Sequence, residues 1–81
     1  MINIHTIHAA QDGDEDAIQQ IFESFKQLMI FKTKKYFFHG GDREDVMQEA
    51  MIGLLKAINA YDENKNASFT TFALLCIKRQ I

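Results

Sequence analysis

The residues best suited to chemistry in this chain share one segment. Stepping about 100° per residue from Asp45, Asp45, Gln48, Glu49, Ile52, Lys56 and Asn59 fall on one side of a helix. Met47, Ala50, Met51, Leu54, Ala57, Ile58 and Tyr61 fall on the other. The second set reads as a core face. The first is a narrow polar stripe, acidic at its N-terminal end, with one isoleucine in its middle. Such a stripe is ordinarily a solvated face. An isoleucine set between Gln48, Glu49 and Lys56 is instead the layout of a contact surface, apolar at the centre and charged at the rim.

The other reactive side chains carry less. His5 and His8 are three apart and could face one ion, but no third ligand is near in sequence and His39 stands alone in a glycine turn. No metal and no cofactor is therefore expected. Cys76 lies on an apolar arc with no evident basic partner, so it reads as a small core residue rather than a nucleophile. There is no glycine-rich phosphate loop, no Ser/His/Asp order and no metalloprotease motif. The acid pairs Asp45/Glu49 and Asp14/Asp16 have no obvious pocket. The chain is not expected to be an enzyme.

The elements that position these residues must fit into 81 residues, 47% hydrophobic and 25% charged, which suffices for one small domain. Zero proline and four glycines point to helices. A single cysteine excludes an internal disulfide and fits a reducing cytosol, so a cytoplasmic location is expected. No apolar stretch approaches the ~18 residues of a membrane span, and the first residues do not read as a signal peptide. Nine basic and eleven acidic residues leave a net charge of −2, which by itself argues neither for nor against nucleic acid.

Punctuation at Asp12-Gly13-Asp14, His39-Gly40-Gly41 and 62–67 divides the chain into a weakly patterned tail, 1–12, and a helical domain, 13–81. The spacing predicts an all-α fold, a small bundle of three main helices. The first runs from about Asp14 to Phe38. Asp12 and Glu15 resemble a capping box, and Ile18, Ile21, Phe22, Phe25, Leu28 and Met29 form an apolar stripe. Beyond Met29 the stripe loses phase, so a bend or a second short helix is expected there, stopped by Gly40-Gly41. Asp42 is expected to cap the second helix. Its mid-helix Gly53 costs about 1 kcal/mol relative to alanine, which suggests close packing of another backbone. Ser68 can cap the third, over 69–81, with Phe69, Phe72, Ala73, Cys76, Ile77 and Gln80 on one arc. Leu74 and Leu75 lie outside that arc. No stop signal follows Arg79, so this helix reads as truncated at the C-terminus.

At this point the residues become recognisable. The run from Asp45 to Ile58, DVMQEAMIGLLKAI, resembles region 2 of bacterial RNA polymerase sigma factors of the sigma-70 family. Tyr61-Asp62, then Ser68 to Ala73 and Ile77 to Ile81, continue the resemblance in register. Gly13-Asp14, Asp16-Ala17, Tyr36-Phe37, Asp42 to Asp45 and Leu75-Cys76-Ile77 look like the sigma-H type. The resemblance covers about Gly13 to Ile81. It implies a transcription initiation factor fragment whose Asp45, Gln48 and Glu49, with Ile52 and Leu55 beside them, dock on RNA polymerase core at the clamp coiled coil of its largest catalytic subunit. Basic side chains there would meet the acidic stripe, which favours steering and register.

The segment after Tyr61 looks like the family's promoter-melting region, where aromatic side chains receive bases flipped from the −10 non-template strand. The resemblance places Phe69 and Phe72 in that role, with Lys65, Lys78 and Arg79 as phosphate contacts. Phe69 reads more readily as a core anchor, and Phe72 reads equally as core or base contact. Leu75 and Cys76 stand where housekeeping members carry paired tryptophans, Ala67 where they carry a loop aromatic, and Asn66 where they carry a loop glycine. Asparagine tolerates positive φ, so that last exchange is permissible. Weaker or differently built melting is expected.

The −10 recognition helix and the −35-binding region 4 of the family have no counterpart in the 81 residues. The expectation is thus an N-terminal fragment that binds core polymerase and, in the full-length factor, helps melt the −10 element. An anti-sigma factor is a further implied partner. The alternative is a stand-alone helical interaction module that binds polymerase without promoter recognition. Too few partners for Leu74, Leu75 and Ile77 within three helices also favour a homodimer of the chain.

Overall fold

The computed structural model describes residues 2–37 and 43–81, with the side chains of residues 35–37 outside that description. The described residues form four α-helices and no strand: α1 (Ile4–Gln11), α2 (Glu15–Phe37), α3 (Arg43–Ala60) and α4 (Phe69–Gln80). The expected all-α fold is present. The expected stop at Gly40-Gly41 and the cap at Asp42 lie outside the described residues.

The N-terminal segment is not a tail. Asn3 caps α1, its side-chain oxygen accepting from the Thr6 amide at 2.9 Å. Ile7 and Ala10 are buried in the same core as the other helices. The helix ends in a Schellman arrangement: the Gly13 amide donates to the Ala10 carbonyl and the Asp14 amide to the Ala9 carbonyl, both at 3.0 Å. Gly13 has φ +92°, the conformation this stop requires and a glycine supplies at no steric cost. Asp14 then opens α2, its carboxylate accepting from the amides of Asp16 at 2.9 Å and Ala17 at 3.3 Å. The cap of α2 is therefore Asp14, and the expected capping role of Asp12 is corrected; Asp12 closes α1 instead.

Helix α2 is continuous over Glu15–Phe37, so no second short helix begins after Met29. Among its described side chains the buried ones are Ala17, Ile21, Phe25, Met29 and Thr33, an unbroken row at spacing four. Such a row is inclined to the helix axis and drifts by roughly 40° per step, so the buried line winds around the helix. This explains why the pattern loses phase after Met29, and why Leu28 is exposed despite its apolar register. Thr33 is fully buried, and its hydroxyl donates to the Met29 carbonyl at 2.7 Å, so its polar group is satisfied.

Helix α3 packs on α2 and, most extensively, on α4. Ala50, Gly53, Leu54, Ala57 and Ile58 form its buried face. Met51, at the edge of that arc, is exposed, which corrects its assignment to the core. At Gly53 the expected close approach is present. A Cβ there would stand 2.8 Å from Ile77 Cα and 3.0 Å from the Cys76 carbonyl oxygen, so no larger residue fits unless α4 moves.

The α3–α4 connection is clasped from several sides. Gln11 Nε2 donates to the carbonyls of Ile58 and Tyr61 at 3.0 Å each, satisfying groups that a helix end leaves without intrahelical partners. His8 Nε2 meets Glu63 Oε1 at 2.8 Å, and the Tyr61 hydroxyl donates to the Ala67 carbonyl at 3.2 Å. Ser68 caps α4 as expected, accepting from the Thr71 amide at 3.2 Å. Asn66 does not use its tolerance of positive φ, because Gly13 alone among the described residues has it.

Candidate protein and nucleic-acid interfaces

The polar stripe of α3 is exposed along its length. Asp45, Gln48, Glu49, Ile52, Leu55, Lys56 and Asn59 all face away from the core. By helical spacing they form three files, with Gln48 and Leu55 on one flank, Asp45, Ile52 and Asn59 in the middle, and Glu49 and Lys56 toward α4. Ile52 is 43% exposed at the centre, with Leu55 exposed beside it. The first turn also carries Glu44 and Asp45, negative charge at the positive end of the helix.

One α4 side chain reaches into this stripe. Gln80 Nε2 donates to Glu49 Oε2 at 2.8 Å, and Lys56 Nζ donates to Gln80 Oε1 at 2.7 Å. Local period gives Gln80 only a place on the α4 arc. Its spacing from Gly53 was visible, but its partners depend on how two helices cross.

The residues expected to meet DNA do not form one surface. Phe69 is only 7% exposed, and its ring stands edge-on to Phe25 and Tyr61 at centroid distances of 5.7 and 5.2 Å. It anchors the core, and neither face is open to a base; its assignment as a base receiver is corrected. Phe72 is half-buried and tilted against Tyr61 at 5.8 Å, with part of its ring outward. Arg79 is exposed two turns along the same file of α4, and Lys65 is exposed in the connection. Lys78 lies on a different side. It lines an open groove of about 410 Å³ with Thr71, Leu74, Leu75 and Lys32 of α2. Leu75 is exposed there as expected, whereas Ile77 is buried under the Gly53 crossing, which corrects its place among the uncovered residues.

Cys76 is half-buried and packs against the core, as its arc predicts. His5 is exposed, and His8 is taken up by Glu63. No helix among the described residues is long and apolar enough to cross a membrane.

Residues 21–81 match the family model described as Sigma-70 region 2. The RNA polymerase sigma-H factor of Bacillus subtilis (strain 168) is 46% identical over 69 residues, which are 85% of this chain and 32% of that protein. The sigma-H factor of Bacillus licheniformis is likewise 46% identical, over 85% of this chain and 31% of its own length. The RNA polymerase sigma factor SigA of a Bacillus species is 34% identical over 86% of this chain and 19% of its own length. The chain thus spans about a third or less of the curated relatives it matches. No solved structure matches it significantly. With the family model covering most of the helical bundle, the chain belongs to the sigma-70 family as a region 2 sequence of the sigma-H-like kind.

Proposed function

We propose that this chain is the polymerase-docking part of a transcription initiation factor. It binds RNA polymerase core, at the clamp coiled coil of the largest catalytic subunit, through Asp45, Gln48, Glu49, Ile52 and Leu55. Within a longer factor, the α3–α4 connection and α4 contribute to melting the −10 element, with Phe72 as the receiving aromatic and Lys65, Lys78 and Arg79 near phosphates. The protein acts by binding and carries out no reaction itself.

The observation that carries this reading is the α3 stripe. Five residues that the family resemblance assigns to docking are all exposed, and they surround an apolar centre with charge. A surface of that kind steers a basic partner and fixes its register. The melting role rests on the half-buried Phe72 with an outward edge and on the exposed Arg79 two turns along the same file of α4.

The test is charge reversal. Glu49→Lys is expected to weaken binding to core polymerase by about 2–5 kcal/mol where the contact is desolvated. The helical circular dichroism signal and its melting should stay close to the parent, because Glu49 is exposed. A pull-down in which Glu49→Lys retains core polymerase as well as the parent would remove α3 from the interface.

A further inference from the structure

We propose that Gln80 is a positioning residue for the docking face: one neutral amide on α4 holds Glu49 and Lys56 of α3 in place, so that Glu49 meets the polymerase already oriented. The inference rests on the reading of α3 as the docking helix and adds a residue outside the docking set.

The geometry is specific. Glu49 and Lys56 are seven residues apart, about 10 Å along the helix axis, too far to pair directly. Gly53 lies between them and leaves a dent in the surface of α3. The α4 backbone at Ile77 and Cys76 fills that dent together with Gln80, whose Cβ is 3.0 Å from where a Gly53 Cβ would be. From there its amide divides: the nitrogen end donates to Glu49 at 2.8 Å, and the oxygen end accepts from Lys56 at 2.7 Å.

The residue type follows from these two bonds. A carboxylate at this position would repel Glu49, and an ammonium would repel Lys56. Asparagine is one methylene shorter. An alanine keeps the Cβ over Gly53 and loses only the link. The bond to Glu49 uses Oε2, and Oε1 has no partner among the described residues, so it remains an acceptor for an incoming cation. The Glu49 side chain is exposed and long, and it would otherwise lose rotamer freedom on binding. The link imposes that ordering before the partner arrives. It also ties the docking face to α4, since Gln80 lies next to Arg79 on the same turn.

The test is a double-mutant cycle on binding of the 81-residue chain to purified Bacillus subtilis core polymerase, with thermal melting measured in parallel. Gln80→Ala is expected to weaken binding about threefold to tenfold. The same change in a Glu49→Ala background should have no further effect. Gln80→Glu, which preserves length and the Lys56 contact, should weaken binding more than Gln80→Ala and become less harmful as salt rises. Because Gln80→Glu sets a like charge against Glu49 without shortening the side chain, its salt dependence separates positioning from loss of packing.

Full binding by Gln80→Ala alongside a Glu49→Ala that binds poorly would overturn the positioning role and leave the docking face intact. Equal losses from Gln80→Ala in both backgrounds would overturn it as well, placing its effect elsewhere. A Glu49→Ala chain that binds like the parent would defeat the docking reading, and this inference with it. Unfolding of Gln80→Ala with normal binding and salt response by Gln80→Glu would make the residue structural only and likewise overturn the proposal.

Discussion

The outer faces of α3 and α4 differ in how much work each side chain does. On α3 the division is clean: the inner residues are buried and the outer ones are exposed, with Met51 at the margin. On α4 the aromatic residues serve two ends. Phe69 is a core ring, Phe72 is half core and half surface, and the cations are distributed over two sides and a loop. A helix with one buried face announces its outer face through its period. A helix whose aromatics are divided between core and surface does not, because a ring in the core and a ring at the surface have the same spacing.

The comparison can be broken most forcefully at Phe69. Phe69→Ala is expected to cost roughly 3–5 kcal/mol of folding stability, since it removes a ring packed on Phe25 and Tyr61. Urea melting would show this as a lower midpoint. A variant that melted like the parent but lost single-stranded −10 DNA would return Phe69 to the surface class and erase the contrast. On the inner face of α3, Leu54→Ala is expected to cost roughly 2–5 kcal/mol. Matching urea midpoints for that variant and the parent would mean that α3 is turned the wrong way.

Phe72 tests the shared role. Phe72→Ala is expected to weaken binding of single-stranded −10 DNA by about 1–3 kcal/mol in the longer factor. Fluorescence anisotropy with a labelled oligonucleotide reads this directly, and an unchanged affinity would confine Phe72 to packing on Tyr61. The smallest effect concerns the start of α4. Ser68→Ala removes the acceptor of the Thr71 amide and is expected to cost ~1 kcal/mol. A thermal scan showing no lowering would indicate that α4 is held by its crossing with α3 alone.

What was legible in the sequence follows the same division. The stripe of α3, the close approach at Gly53 and the Ser68 cap rest on local period, on one missing side chain and on one short polar residue. Each has a physical signature within a few positions. Thr33 and Gln11 do not. Thr33 continues the spacing-four row of α2, but it is polar and set among Lys32, Lys34 and Lys35, so composition concealed it. Helix α1 is eight residues long, too short for its period to stand out, although Asn3 and Gly13 are start and stop signals of the usual kind. Gln11 and Gln80 find their partners 24 to 50 residues away, and no local pattern encodes such a bond.

The corner between α1 and α2 fixes the number of residues as firmly as their types. Asp14 closes one helix with its amide and opens the next with its carboxylate, so a single position serves both ends. An added residue would split those duties between two positions, and one helix end would then lack its partner. It would also change the heading of α1, which now brings His8 and Gln11 to the α3–α4 connection. Length variation among sequences that fold this way should therefore be excluded from 12–14.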